Sequence, residues 1–288
     1  MNEPNIIILA GGISSRMKKS AQSAKEIELS LVEDAAAKSK SMIGVGAGHR
    51  PFLDYLLYNI QESGYRDVVL LIGEQDESIR GYYDEKEQRK AFSKLSLTYI
   101  VQPIPPGRTK PLGTADAVLR VLEARLDWKG KQFTVCNSDN LYTQEALSLL
   151  MKSPERNSMI DYDFDGLQFP GERIFQFAIL RTDNDGFLES ILEKPSKEEL
   201  EELKGRVGVS MNIFRFVYED ILPFLQVVPL HPARKEKELP EAVRLMAAKQ
   251  PHSMKTYRRA EYVPDLTTVS DIPAVQQYLQ KHFSAKKF

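Results

Sequence analysis

The sequence predicts an α/β fold: a doubly wound, mixed but mostly parallel sheet in a three-layer α/β/α arrangement. Three observations predict it. Short runs of consecutive aliphatic residues, such as Ile6-Ile7-Ile8-Leu9, have the unbroken apolarity of strands covered on both faces. These runs alternate with segments of helical periodicity, which implies parallel βαβ units. Residues able to do chemistry follow directly after the apolar runs, at the sheet edge where open α/β folds bind ligands. The 288 residues suit one such domain spanning 1–288, with halves of 1–150 and 151–288 and no linker to force a split.

The first strand, Ile6–Leu9, runs through Ala10 into Gly11-Gly12. Two residues without Cβ atoms let the chain turn sharply and let a ligand lie against bare N–H groups. Ser14, Ser15 and Arg16 add hydroxyls and a fixed positive charge, so the turn is either a phosphate site or a plain strand–turn with a solvated arginine. It is neither a Gly-x-Gly-x-x-Gly dinucleotide loop nor a P-loop. The polar tract Lys18–Ser41 has sparse apolar positions and is expected to be a mobile flap, with helical character confined to Glu26–Ala37. Pro51 through Ser63 is predicted as a helix: proline at the start, Phe52, Leu53, Leu56, Leu57 and Ile60 on one face, Gly64 as terminator.

Val68–Ile72 and Leu97–Val101 are the next two strands, the latter leading to Gln102. After a Pro/Gly-rich loop, Thr114 is expected to cap a helix with Ala115, Val118, Leu119 and Leu122 on its apolar face. Its N-terminus, with Gly113, offers backbone N–H groups to a base or phosphate, or is only a well-capped helix. Phe133–Cys136 is the fourth strand, followed by Asn137-Ser138-Asp139-Asn140-Leu141, where Asp139 either caps a turn or binds a metal. From Ser158 the pattern shifts to strands at Ile174–Leu180, Phe187–Leu192 and Val207–Phe216, with a hairpin turn at Asn184-Asp185-Gly186. Ser196 and Glu199 form a capping box. Helices follow at Tyr218–Leu225, Pro240–Lys249 and Ser270–Phe283.

Composition excludes several classes. With 39 basic and 40 acidic residues, the chain is no general binder of nucleic acid or anionic membranes. The one cysteine, Cys136, cannot form an internal disulfide, which fits a reduced, cytoplasmic setting. No apolar run approaches ~20 residues, and the N-terminus lacks a charged leader region, so a soluble protein is expected. The four histidines are scattered without cysteine partners, so nothing suggests zinc.

The stretch Leu9-Ala10-Gly11-Gly12-Ile13-Ser14-Ser15-Arg16-Met17 resembles the opening signature of the sugar nucleotidyltransferases, with Ser14-Ser15 where that family has Gly-Thr. Four further segments resemble later motifs of the family, in order. Gly113-Thr114-Ala115-Asp116-Ala117 matches the turn that, with a glutamine (here Gln102), holds the nucleobase. Ser138-Asp139 matches a Gly-Asp whose aspartate binds Mg²⁺. Glu193-Lys194-Pro195 matches the pair that holds sugar hydroxyls and sugar phosphate. Asp265-Leu266-Thr267-Thr268 matches a segment carrying the second metal carboxylate, with Thr267 in place of glycine. The family's catalytic lysine corresponds to Lys40, which lies 24 residues after Arg16 and lacks the flanking prolines; Lys25 and Lys38 compete with it. Asn212 stands where the family has glycine and is placed to reach the sugar, while Phe177-Ala178 falls where Tyr-Gly is usual.

The resemblance implies a GT-A-like, Rossmann-like nucleotidyltransferase with a nucleotide-binding first half and a sugar-phosphate-binding second half. The reaction implied is NTP + sugar 1-phosphate → NDP-sugar + pyrophosphate, with Mg²⁺ as cofactor. Arg16, Lys40 and Lys194 are its candidate catalytic cations. Leu9, Ala10, Gly11, Gly12, Ser14, Ser15, Gln102, Gly113 and Thr114 are the nucleotide set, and Asn140, Glu193, Lys194 and Asn212 the sugar-phosphate set. Asp139 and Asp265 are the metal ligands. No nucleic-acid or membrane partner is implied, and homo-oligomerisation stays open. Two rivals are a cytidylyltransferase-type enzyme acting on a non-sugar phosphate, and a weakened, non-catalytic nucleotide-sugar-binding regulator.

Overall fold

The computed structural model describes residues 3–22, 27–74, 76–169, 173, 176–202 and 207–286. The chain divides into two compact units that share strand β1 (Asn5–Ala10). The first unit comprises Ile8–Pro111, Asn137–Leu147 and Pro264–Phe288. The second comprises Met1–Ile7, Leu112–Cys136 and Ser148–Val263. The fold is α/β with a mixed sheet, as expected.

In the first unit the end of β1 leads to α1 (Ser15–Ala21), α2 (Leu29–Ala37) and α3 (Phe52–Glu62). Strand β2 (Asp67–Gly73), α4 (Glu77–Tyr83), α5 (Lys86–Ala91) and β3 (Ser96–Gln102) follow. Strands β2 and β3 are parallel, in register from Asp67↔Ser96 to Gly73↔Gln102. That register delivers Gly73 and Gln102 to one sheet edge. Val68–Ile72 is buried throughout, as a strand with apolar residues on both faces requires. Helix α3 turns Phe52, Leu53, Leu56, Leu57 and Ile60 into the core, each fully buried, with Pro51 as its cap residue. The unit closes with α12 (Ile272–Phe283), whose Phe283 ring packs edge-on against Tyr55, centroids 5.0 Å apart.

The second unit holds α6 (Thr114–Ala124), β4 (Gln132–Asn137, whose last residue belongs to the first unit), β5 (Ser158–Tyr162) and α8 (Phe164–Leu167). Helix α7 (Gln144–Met151) begins in the first unit and ends in the second. Then come β6 (Ala178–Thr182), β7 (Leu188–Glu193), α9 (Lys197–Glu202), β8 (Val207–Ser210), β9 (Phe214–Val217), α10 (Tyr218–Val227), α11 (Leu239–Lys249) and β10 (Lys255–Arg259). The strand order here is β4-β9-β5-β8-β6-β7, with β10 parallel to β5. The remaining pairings along this order are antiparallel. The capping box at α9 forms as expected: the Ser196 amide donates to Glu199 Oε2 at 2.8 Å and the Glu199 amide to Ser196 Oγ at 3.2 Å.

Four expectations are corrected. Within the Lys18–Ser41 tract the helical character expected over Glu26–Ala37 is present as α2, with Leu31 and Ala35 buried, but it is not confined there, because α1 runs on to Ala21. Val207–Phe216 is not one strand, because Asn212 adopts a left-handed conformation (φ 55°) and breaks it into β8 and β9. The strand expected from Ile174 begins at Ala178, Arg173 and Gln176 being in 3-10 conformation, while 174 and 175 lie outside the described residues. Thr114 is not the cap of α6; Gly113 is, with φ 111°. Strands β5 and β10 escaped notice because polar residues interrupt them: Arg258 of β10 donates to Asp161 of β5 at 2.7 Å, so the charges are paired in place.

Candidate active site

The glycine turn of the first unit follows from close packing. A Cβ on Gly11 would come 3.3 Å from both Gln102 Oε1 and Leu71 Cδ2, whereas one on Gly12 would meet nothing within 4 Å. A side chain at Gly11 would therefore crowd Gln102 and Leu71 by a few tenths of an ångström, whereas Gly12 leaves open space beside the backbone. Ser14 follows in the left-handed region, φ 56° and ψ 31°, which is unusual for a residue with a side chain. Its hydroxyl accepts from the Lys40 amide at 3.2 Å, tying the turn to the lysine segment. Arg16 stands exposed on the first turn of α1, with no ion pair to another described residue. The Leu9 carbonyl accepts from the Ser138 amide at 3.2 Å, so the strand–turn and the Asp139 loop are laced together.

Three lysines competed on sequence, and geometry separates two of them. Lys40 places its ammonium directly on Asp139 Oδ2, with each side chain 18% exposed. Lys38 pairs instead with Asp34, Nζ to Oδ1 at 2.6 Å. Lys25 lies outside the described residues. Cys136, just upstream in β4, is fully buried and its thiol is pushed well up by burial, so it is no nucleophile.

Asp139 and Asp265 come together through a backbone clasp. Leu266 N donates to Asp139 O at 2.8 Å, and Leu141 N to Pro264 O at 2.9 Å. Between them Asn140 and Asp265 form an antiparallel bridge. Asn140, expected at the sugar phosphate, spends its amide on Asp265 Oδ1 at 3.2 Å. Thr267, standing where the resembled family has glycine, donates its hydroxyl toward both Asp265 oxygens, 3.0 Å from each. Thr268 caps the following turn through Asp271. Two half-buried or buried carboxylates on clasped segments, one with an ammonium beside it, form a hard oxygen set of the kind magnesium takes when shared with phosphates. The chemistry of these two carboxylates suits Mg²⁺ only if phosphate oxygens complete the set, since among the described residues no group of three or more histidine, cysteine or acidic side chains gathers to hold a metal.

Beside the glycine turn lies a cavity of about 570 Å³. Ala10, Gly11, Gly12, Ser14 and Ser15 line it, as a ligand-binding turn requires. Lys18 and Lys38 bring positive charge to its wall, and Glu74, Asp76 and Glu77 bring negative charge. The lining therefore offers cationic groups to phosphates and acidic acceptors to hydroxyls or amines. Lys18 was missed on sequence, since a lysine on a polar helix carries no signal until the cavity is seen.

The second unit assembles a different cluster. Glu193 ends β7, and Lys194 follows in the left-handed region (φ 53°), its amide donating to Phe177 O at 3.0 Å. Lys194 Nζ lies 3.4 Å from Glu193 Oε1. Burial raises the Glu193 carboxyl above its ordinary range, Lys194 and Arg234 opposing this and Glu238 adding to it. Glu193 Oε2 is enclosed with no hydrogen-bond partner, a group that a hydroxyl donor would satisfy. Phe177 stacks on Phe169, centroids 5.3 Å apart. Asn212 sits in the β8–β9 turn, its amide donating to Ser210 Oγ at 3.2 Å.

Gly113 and Thr114 belong to this second unit and not to the glycine-turn unit. The Ala115 amide donates to Lys237 O at 2.9 Å, and Thr114 Oγ1 accepts from Leu239 N at 2.9 Å. A Cβ on Gly113 would come 2.5 Å from Lys237 O. The turn is thus packed under the segment before α11, which accounts for its glycine without a ligand.

A family model described as nucleotidyl transferase matches residues 35–282. The glucose-1-phosphate adenylyltransferase of Corynebacterium jeikeium (strain K411) is 24% identical over 195 residues, 66% of this chain and 43% of that protein. That of Bifidobacterium longum (strain DJO10A) is 26% identical over 195 residues, 66% of this chain and 42% of that protein. The chain spans less than half the length of these curated relatives. Among solved structures, UDP-glucose pyrophosphorylase complexed with UDP-glucose aligns with a TM-score of 0.72 at 16% identity, over 98% of this chain and 99% of that one. UTP-bound UGPase from Acinetobacter baumannii aligns at 0.68 and 19% identity, over 98% and 95%. At such identities the structural likeness is one of fold. Among the described residues no helix is long and apolar enough to cross a membrane.

Proposed function

Since this chain belongs to the nucleotidyl transferase family, with the sugar nucleotidyltransferases, we infer that it transfers a nucleoside monophosphate from an NTP to a sugar 1-phosphate and releases pyrophosphate. The observation that carries the reading is the meeting, within one unit, of an open glycine turn, a lysine on a carboxylate, and a second clasped carboxylate. An oxygen of the acceptor phosphate attacks the α-phosphorus in line, the bond from that phosphorus to the bridging oxygen of the β-phosphate breaks, and pyrophosphate leaves with that oxygen. Such a displacement calls for positioning and charge neutralisation.

The bare backbone at Gly12 and the Ser15 hydroxyl are assigned to the triphosphate, with Arg16 and Lys40 neutralising it. Gln102, buried at the same sheet edge as Gly73, is assigned to the base. Lys194 draws the acceptor phosphate, and the enclosed oxygen of Glu193 accepts from an acceptor hydroxyl. When bound at Asp139 and Asp265, magnesium supplies Lewis-acid neutralisation of phosphate oxygens. The division of labour we propose thus follows the two units, with the nucleotide in the first and the acceptor in the second. Gly113, Thr114 and Asn140 carry structural bonds that compete with their assigned ligand roles. A cytoplasmic setting, suited to the buried lone cysteine, belongs to the same proposal.

The stacked Phe177 and Phe169, beside Lys194, favour a second reading in which the acceptor is a non-sugar phosphate. One experiment separates the readings: pyrophosphate release measured for each NTP against a panel of sugar 1-phosphates and amino-alcohol phosphates. Turnover with a sugar 1-phosphate, dependent on Asp139, is expected. Turnover only with a non-sugar phosphate selects the second reading. No pyrophosphate with any pair overturns both.

A further inference from the structure

Lys40 is held at two points already described, by Ser14 on its amide and by Asp139 on its ammonium. A third element surrounds it. Asp34 lies on the last turn of α2 and is 7% exposed. Three groups from the chain on either side of Lys40 converge on its carboxylate. Lys38 Nζ reaches Oδ1 at 2.6 Å, two residues before it. The Gly44 amide reaches Oδ2 at 2.9 Å, four residues after it. His49 Nε2 reaches Oδ2 at 2.9 Å. His49 is held there by a left-handed backbone (φ 60°) and by contact with Gly44, where a Cβ would lie 2.6 Å from the imidazole.

The segment so bracketed has little freedom elsewhere. Ser41, Met42, Ile43 and Val45 are buried, and Phe52 N donates to Ile43 O at 3.1 Å. The two carboxylate oxygens share this load, Oδ1 facing the Lys38 ammonium and Oδ2 the Gly44 amide and the His49 ring. A buried carboxylate left without those donors would be costly, so the bracket is mutually enforced.

We propose that Asp34 is a positioning residue for Lys40: by fastening Lys38, Gly44 and His49 it fixes the backbone from which the Lys40 ammonium reaches the phosphate site. The proposal rests on the triphosphate role given to Lys40, but the bracket has a readout of its own. In Asp34→Asn the Lys40 amine should acetylate several times faster with an amine-specific reagent, followed by peptide mass spectrometry, while Lys94, exposed and paired with Glu62, keeps its rate. Turnover should fall by about tenfold or more, within the roughly hundredfold that a 1 Å misplacement can cost, with KM for the acceptor unchanged. The same substitution in a Lys40→Ala background should cause no further fall.

An unchanged Lys40 labelling rate, or an equal fall with and without Lys40, overturns the proposal. Faster labelling with NTP affinity and turnover at wild-type values upholds the bracket and removes the triphosphate role from Lys40. If Asp34→Asn does not fold, His49→Asn replaces it, because asparagine tolerates the left-handed backbone and is too short to reach Asp34. It should produce the same pattern with smaller changes, and wild-type labelling in that variant is equally decisive against the bracket.

Discussion

Replacing Lys40 by methionine should have opposite effects on stability and on metal affinity. The ammonium lies on Asp139 Oδ2, and both side chains are 18% exposed. Breaking an ion pair costs about 0.2–1 kcal/mol at the surface and about 3–5 kcal/mol when buried. At this depth the metal-free protein should lose about 1–3 kcal/mol, each kcal/mol lowering Tm by about 2–4 °C for a chain of this size. The same change removes a cation competing with a metal for the Asp139 oxygen. A charge-assisted hydrogen bond is worth about 1.5–3 kcal/mol, so Mg²⁺ should bind the variant roughly 10- to 150-fold more tightly in the absence of nucleotide. Turnover should fall by roughly 10- to 150-fold, because the ammonium no longer meets the triphosphate and Arg16 alone remains to do so. Calorimetric titration with Mg²⁺, or the free-ion signal of Mn²⁺ in electron paramagnetic resonance, reads the affinity. Mg²⁺ binding equal to or weaker than wild type would refute the idea that the lysine and a metal share Asp139.

The acceptor assignment predicts that Lys194→Ala raises KM for the sugar phosphate by roughly 10- to 150-fold while calorimetric NTP affinity stays at wild type; lost NTP binding with a normal acceptor KM would place Lys194 elsewhere. Burial raises the Glu193 carboxyl in the folded chain above its ordinary 4.5. Its contribution to stability is therefore fully present below pH 4.5 and is lost as pH rises through the folded value. Glu193→Gln should accordingly raise Tm relative to wild type at about pH 7.5 and not at about pH 4; a Tm difference independent of pH would contradict this. For the glycine turn, Gly11→Ala should cost about 1–3 kcal/mol through overpacking against Gln102 and Leu71. Gly12→Ala should stay within about 0.5 kcal/mol yet weaken NTP binding; chemical denaturation and calorimetry compare the two.

By itself the sequence determined the α/β class, the strands from Ile6 to Cys136, helix α3 with its proline start, the α9 capping box and the order of the motifs. These are carried by apolar runs and by bonds within about four residues, which are visible in any short window. The left-handed break at Asn212 was not legible, because asparagine tolerates that conformation without requiring it. Nor was the cap of α6: Thr114 has the right chemistry for a cap, but the Leu239 amide takes its hydroxyl. The tertiary structure alone decided that Lys38 goes to Asp34 and Lys40 to Asp139, since both lysines sit on the same polar stretch and differ only in what faces them. It alone joined Asp139 to Asp265 through the Asn140 bridge, and gave Asn140 to a carboxylate. Partners far apart in the chain are chosen by strand register and by the cost of leaving a buried polar group unpaired, and neither is written in the spacing of residues along one segment.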